Sequence, residues 1–234
     1  MQPLAISEIF KSIQGEGPSL GRLCAFVRLG GCNLTCNWCD SSFTWDWTGK
    51  NGQVYDPQVE VTSMSVDEIM ATLDAMNITR VVITGGEPLL QQNQLLPLLR
   101  EIKLNRGWHI EVETNGTVYP LSTITPLVDQ WNVSPKIENS GVSHSRRWNR
   151  DALTALMNTN KAAFKFVVQV GSDLDEIAKI SQSIPLSPIW IMPEGWDPET
   201  LTSHTQDIAD AVIERGWNLT TRLHVYAWPG ERGK

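Results

Sequence analysis

Cys32, Cys36 and Cys39 are spaced C-x3-C-x2-C inside one Gly- and Asn-rich loop, residues 30–41. The fourth cysteine, Cys24, lies apart in the apolar run 23–27. Thiolates at such short spacings are metal ligands, and their number decides which metal. A structural zinc closes four ligands, so this loop would need a distant His or Asp to complete it. An iron–sulfur cube is held by thiolates at spacings of this kind, and three of them leave one iron open to bind something else. Redox dithiols and plain buried thiols also use C-x2-C.

The loop follows a strand. Residues 23–29 are apolar and β-prone, and residues 6–13 form a strand before them, joined through Gln14-Gly15-Glu16-Gly17-Pro18. Residues 42–63 are polar and aromatic, with Trp45, Trp47 and glycine breaks, and read as an irregular insertion. Ser65 and Glu68 form a capping box opening a helix to about Met76. Strands are then expected at 81–84, 110–114, 131–134, 164–170, 189–192 and 223–226. Between them, helices end near Asn105, span about 173–183, and run from Asp197-Pro198 to before Gly216. This alternation predicts right-handed crossovers and a parallel sheet. Six or so units are too few for a closed eightfold barrel. The expected architecture is α/β: a partial, TIM-like (β/α) barrel open on one side, with residues 1–234 as a single domain.

Chemistry in such barrels sits at the carboxyl ends of the strands. Polar clusters recur there: Thr84-Gly85-Gly86-Glu87-Pro88, Glu113-Thr114-Asn115-Gly116, Ser134-Pro135-Lys136 and Met192-Pro193-Glu194-Gly195. Each alone suits an ordinary turn. Gly85-Gly86 allows positive φ, Glu87 favours a helix start, and Asn115-Gly116 is good turn chemistry. Their repetition on the face that carries the cysteine loop points to one site.

With that loop, Gly85-Gly86-Glu87 resembles the paired signatures of radical S-adenosylmethionine (SAM) enzymes. Two longer stretches narrow the likeness: Ser7-Glu8-Ile9-Phe10-Lys11-Ser12-Ile13-Gln14-Gly15-Glu16-Gly17, and Phe26-Val27-Arg28-Leu29-Gly30-Gly31-Cys32-Asn33-Leu34. With Cys39-Asp40-Ser41 they resemble the 7-carboxy-7-deazaguanine synthase family, and the resemblance runs on to Leu223–Pro229. It implies a [4Fe-4S] cluster on Cys32, Cys36 and Cys39, whose open iron chelates the amino and carboxylate groups of SAM. It implies SAM contacts from Trp38 near the adenine and from Gly86 and Glu87 at the methionine amino group. Thr114, Asn115, Ser134, Pro135 and Lys136 would line the ribose and carboxylate, Lys136 supplying charge.

The implied substrate is 6-carboxy-5,6,7,8-tetrahydropterin. Ile13, Gln14, Gly15 and Glu16 would meet its amide and amino edge, Arg28 its carboxylate, and Thr84 would donate beside it. Ser41, where many relatives carry Thr, would bind Mg2+ through its hydroxyl, with Asp40 as a second candidate. The implied reaction begins with a 5′-deoxyadenosyl radical made from SAM. Hydrogen abstraction, ring contraction and loss of ammonia then give 7-carboxy-7-deazaguanine, and SAM is regenerated. No acid–base residue is assigned; His224 and Glu113 are candidates by position, and His109, His144 and His204 read as surface or helix-flank histidines. The chain continues to Lys234 past Trp228-Pro229, so a substrate contact from the terminal carboxylate is not carried over.

Composition sets the surroundings. A net charge of -7 argues against a nucleic-acid-wrapping protein, which needs a basic face. The first residues lack a signal peptide's basic and apolar regions, and no apolar run reaches membrane-spanning length, so the expected location is cytoplasmic. The resemblance implies an electron donor such as flavodoxin or ferredoxin, and a homodimer. Two rivals stay open: a zinc protein using the three cysteines and one His, and another radical SAM reaction such as glycyl-radical activation. A further variant adds a regulatory partner through the Trp-rich residues 42–63.

Overall fold

Side-chain alternation along the strands decides the architecture. The computed structural model describes residues 2–234. In chain order the elements are β1 (Leu4–Ile13), β2 (Leu23–Leu29), α1 (Pro57–Glu60), β3 (Thr62–Met64), α2 (Val66–Met76) and β4 (Arg80–Gly85). Next come α3 (Gln92–Arg100), β5 (His109–Thr114), β6 (Gln130–Val133), α4 (His144–Arg147), α5 (Arg150–Met157) and β7 (Ala162–Val168). The chain ends with α6 (Asp173–Ser183), β8 (Ile189–Pro193), α7 (Pro198–Glu214), β9 (Asn218–Leu219) and α8 (Leu223–Ala227). One sheet joins the strands in the order β3-β1-β2-β4-β5-β6-β7-β8-β9, with β3 and β9 as its edges. From β2 to β9 every pairing is parallel, whereas β1 runs antiparallel to both β2 and β3. An open, mostly parallel sheet with helical crossovers is the partial barrel that the alternation predicts.

Each parallel strand has two chemically different faces. Val27 and Leu29, Val81 and Ile83, Ile110 and Val112, Trp131 and Val133, and Phe164 and Phe166 all join the main core that packs against the helices. The alternate positions are mostly polar: Arg28, Thr84, Glu111, Glu113, Asn132 and Lys165. A strand with period two must turn these inward once the others face the helices. The interior of the barrel therefore holds these polar groups beside a small apolar cluster of Phe10, Cys24, Phe26 and Val82, and it encloses a cavity.

Local signals fix the ends of several helices. Ser65 Oγ accepts from the Glu68 amide (3.3 Å), and the Glu68 carboxylate accepts from the Ser65 amide (2.7 Å), which closes the capping box. Asp197 accepts from the Thr200 amide at 2.8 Å, with Pro198 at the first helical position. Such caps contribute about 1 kcal/mol each.

Some elements differ from expectation. Residues 223–226 form a helix, α8, and not a last strand. Four residues of alternating polarity do not separate the two periods, and the edge beside β8 is already taken by Asn218–Leu219. The Leu223 amide donates instead to the Gly15 carbonyl at 2.8 Å, which ties α8 to the β1–β2 turn. Beyond α3 the helix widens into one π turn over Glu101–Asn105. Within residues 42–63 lie a 3-10 turn (Ser42–Thr44), α1 and the start of β3. Asp46 winds the same stretch by accepting from the amides of Lys50 (2.9 Å) and Asn51 (2.6 Å). Among the described residues no helix is long and apolar enough to cross a membrane.

Candidate active site

The ends of β2 and β4 are stitched to the cysteine loop by backbone hydrogen bonds. Gly86 N donates to the Leu29 carbonyl (3.1 Å) and Glu87 N to the Gly31 carbonyl (2.9 Å). A Cβ on Gly86 would lie 2.1 Å from the Gly31 carbonyl oxygen and 2.9 Å from Cys32 Cβ, so only glycine permits this approach. Cys32, Cys36 and Cys39 are free thiols, and all three line one cavity of about 380 Å³. Leu34 N donates to Cys32 Sγ (3.4 Å) and Trp45 Nε1 to Cys39 Sγ (3.3 Å), contacts of the kind that tune an iron–sulfur cluster. Burial pushes the Cys32 thiol up to about 12 and the other two upward, so a metal taken up by these thiols would have to displace a proton from each. Among the described residues no three His, Cys, Asp or Glu side chains converge on one ion-sized position. Three thiols on one cavity wall match the donor set of an iron–sulfur cube with one iron left open.

Beside the cysteines stand Trp38, Thr114, Asn115, Ser134 and Lys136, all on the cavity wall. Lys136 Nζ lies 5.1 Å from the centre of the Trp38 ring and donates to Ser134 Oγ at 2.8 Å. An ammonium held between an indole and a hydroxyl suits a ligand with both an aromatic ring and a carboxylate. Asn115 Nδ2 donates to Asn33 Oδ1 (2.9 Å), joining the end of β5 to the cysteine loop. Gly85 and Gly86 present backbone to the cavity. Pro135 is buried and does not line it.

Glu87 stands elsewhere than expected. Its side chain is fully buried and absent from the cavity wall, and it accepts from Leu89 N (3.0 Å), Thr114 Oγ1 (2.8 Å) and Asn115 N (2.7 Å). The carboxylate is thus a bracket between the turn after β4 and the end of β5. Glu87→Gln turns an NH2 group toward these donors and is expected to destabilise the fold by about 2 kcal/mol, read as a lowered melting temperature.

The same cavity is also lined by Ile13, Gln14, Gly15, Glu16, Arg28 and Thr84. Arg28 gives its Nε to Glu8 at 3.0 Å and packs over Phe10 and Phe43. Among the described residues its two terminal nitrogens have no partner, so a bidentate edge is left for a carboxylate. Thr84 Oγ1 and Gln14 Nε2 both donate to Glu113, at 2.7 and 3.0 Å. These two residues therefore orient Glu113, which also lines the cavity. The His224 ring covers Gly15 so closely that a Cβ there would lie 2.1 Å from Nδ1. Burial holds His224 below the usual imidazole range although Glu16 opposes it, so the ring is neutral near pH 7. His109 lies at the far end of β5, 3.6 Å from Glu111 and 3.8 Å from Asp129, and His204 Nδ1 meets the Glu194 carbonyl.

Two cavity residues escape sequence reasoning. Lys165, on β7, and Arg222, just before α8, both pair with Glu16, and Arg222 also pairs with Asp40. A lone lysine inside the apolar run Ala-Phe-Lys-Phe-Val is a legible anomaly, because buried lysines need a partner. The wall as a whole carries six Lys and Arg side chains against five Asp and Glu, whereas the chain has 19 against 26. The cavity wall is thus close to neutral in an acidic protein, and Lys136 stands on it without a carboxylate partner among the described residues.

The comparisons agree with this chemistry. The sequence profile of the Radical SAM superfamily matches residues 26–139. The 7-carboxy-7-deazaguanine synthase of Pyrobaculum aerophilum is 37% identical, the match covering 98% of this chain and 96% of the relative. The enzyme of the same name from Halobacterium salinarum is 34% identical over 96% of this chain and 90% of its own. The crystal structure of QueE from Escherichia coli superposes with a TM-score of 0.73 at 26% identity, covering 95% of both chains. Identities of 37% and 34% over nearly the full length of this chain and of both relatives settle the family: the chain belongs to the 7-carboxy-7-deazaguanine synthase family of radical SAM enzymes.

Proposed function

We propose that the cavity holds 6-carboxy-5,6,7,8-tetrahydropterin between the cysteine wall and the Gln14–Glu16 wall. The enzyme carries out the radical ring contraction of 7-deazapurine biosynthesis, forming 7-carboxy-7-deazaguanine with loss of ammonia. The observation that carries the binding mode is the placement of three thiols and Arg28 on one cavity. The [4Fe-4S] cluster and SAM supply the one-electron chemistry, and the protein supplies position and a dry pocket. Cys32, Cys36 and Cys39 hold the cluster. Trp38, the Gly86 backbone, Asn115, Ser134 and Lys136 hold SAM. Arg28 receives the substrate carboxylate with its free nitrogens, and Glu16 faces the amide and amino edge. Glu113, oriented by Thr84 and Gln14, is the group placed to take a proton.

Magnesium belongs to the same reading. The buried Ser41 hydroxyl lines the cavity 3.8 Å from Cys39 Sγ, and Asp40 beside it already engages Arg222 through one oxygen. A hard ion that keeps several waters needs no more from the protein than such a hydroxyl and the substrate carboxylate. Ser41→Ala is expected to raise the Mg2+ concentration for half-maximal turnover about tenfold, read from a metal titration. A cytoplasmic homodimer reduced by flavodoxin or ferredoxin completes the proposal, and the residues 1–234 work in it as one domain.

The test is turnover of the carboxytetrahydropterin by anaerobically reconstituted, reduced protein with SAM, with products followed by mass. Formation of 7-carboxy-7-deazaguanine supports the assignment. Release of 5′-deoxyadenosine and methionine without it would leave a radical SAM enzyme with the wrong substrate.

A further inference from the structure

Glu16 is held in the cavity by two buried cations. Lys165 Nζ meets its Oε2 and Arg222 Nε its Oε1 at 3.3 Å, so each carboxylate oxygen has its own cation. The two cations come from distant parts of the chain, 149 and 206 residues away. Lys165 and Arg222 expose only 10% and 7% of their side chains, which makes their charge strong and their position fixed. Glu16 itself lies between the main cavity and a small crevice under Gly17 and Pro18. We propose that Lys165, with Arg222, is a positioning residue that keeps Glu16 an ionised, acceptor-only carboxylate aimed at a donor–donor edge of the substrate. This rests on the reading of Glu16 as a substrate contact.

The recognition chemistry follows. An ionised carboxylate only accepts, whereas a protonated one also donates. Each oxygen has two lone pairs, so one cation apiece leaves capacity for one substrate N–H apiece. A ring with an amino group beside a protonated ring nitrogen offers two such donors. An analogue with an acceptor at either place meets repulsion. Without its cations, a carboxylate this buried would take up a proton and lose the selectivity. Although burial works to raise it, Lys165 first and Arg222 second hold Glu16 well below the usual carboxylate range.

The other charged neighbours adjust this balance. His224 on α8 touches the same turn, Asp40 shares Arg222, Glu113 on β5 faces Lys165, and Glu194 after β8 faces Arg222. A depressed carboxylate gives binding that is lost only as pH falls through its low value. Removing Lys165 raises that value, so the acid limb of substrate binding moves to higher pH.

The experiment measures substrate binding through tryptophan fluorescence and kcat and KM through turnover, from about pH 5 to about pH 8. Lys165→Met is expected to raise Kd and KM about a hundredfold near pH 5 and far less near pH 8, with kcat less changed. Lys165→Arg restores the wild-type profile. Lys165→Gln, which keeps a hydrogen bond and loses the charge, behaves as Lys165→Met does and carries the test if the methionine variant does not fold. Glu16→Gln flattens the pH dependence, and Lys165→Met adds nothing to it. A Lys165→Gln variant that lowers melting temperature alone, or weakens binding equally at every pH, overturns the inference. Unchanged binding in Glu16→Gln overturns the reading of Glu16 beneath it, whereas a sensitive Glu16→Gln with a silent Lys165→Gln overturns the inference alone.

Discussion

Cys36→Ala is expected to give a folded protein that holds no iron–sulfur cluster and no longer cleaves SAM. Cys36 is buried in a small apolar group with Leu34 and Val142, outside the main core of the sheet and helices. Losing one sulfur there costs about 1 kcal/mol, too little to unfold a chain with so extensive a main core. The Asn51 side chain donates to the Cys36 backbone carbonyl at 2.9 Å, a bond that survives the substitution and keeps the loop in place. A cube left with two thiolates loses the third anchor that fixes the open iron, so turnover should fall at least a thousandfold, about 4 kcal/mol. Iron and sulfide analysis and melting temperature, measured beside turnover, separate loss of the cluster from loss of the fold.

Cys24→Ala is the contrast. Cys24 is fully buried on β2, beside Glu111 and Glu113, and burial pushes its thiol up to about 12. It stays protonated and inert, away from the cavity wall. The variant should keep its iron and its turnover. A Cys36→Ala protein that retained both would remove the cluster from this loop.

What was legible in the chain follows from how each feature is written. The cysteine loop and the Gly-Gly turn are contiguous, and their residue types are demanded by the chemistry, so spacing alone points to them. Most strands were legible because residues such as Val81, Ile83, Ile110 and Val112 are apolar and β-prone. The inward face was harder. Glu111, Glu113 and Lys165 share the inward parity, but what each one faces is not written locally and shows only when the strands are placed side by side. Lys165 and Arg222 meet Glu16 only because β7 and the turn before α8 fold over the β1–β2 hairpin. Glu87 shows the converse. A carboxylate after Gly-Gly reads the same whether it faces a ligand or a buried bracket, and its direction is set by Thr114 and Asn115 from another strand. The strand expected at residues 223–226 failed for a local reason, since one turn of helix and four alternating residues look alike.

Gly86→Ala is expected to impair the enzyme nearly as severely as loss of a cysteine, although alanine carries no chemistry. The added Cβ would meet the Gly31 carbonyl oxygen at 2.1 Å and its carbon at 2.6 Å. Both are backbone, so no side chain can swing aside. Gly31 precedes Cys32 and accepts from Glu87 N, and Gly86 N donates to Leu29, so the strain passes into the first cysteine and the stitched strand ends. Overpacking of this kind costs about 1–3 kcal/mol in stability. A displacement of about one ångström between reacting groups costs about a hundredfold in rate. Turnover should therefore fall by about two orders of magnitude or more, while melting temperature drops by an amount the fold survives. Gly171→Ala is the matched control, because a Cβ there meets nothing within 4 Å and its backbone is not in the left-handed region. Normal turnover in Gly86→Ala would mean that the cysteine loop can move off β4 without consequence. The close backbone approach would then be a packing detail and not the part of the site that fixes the cluster against its ligand.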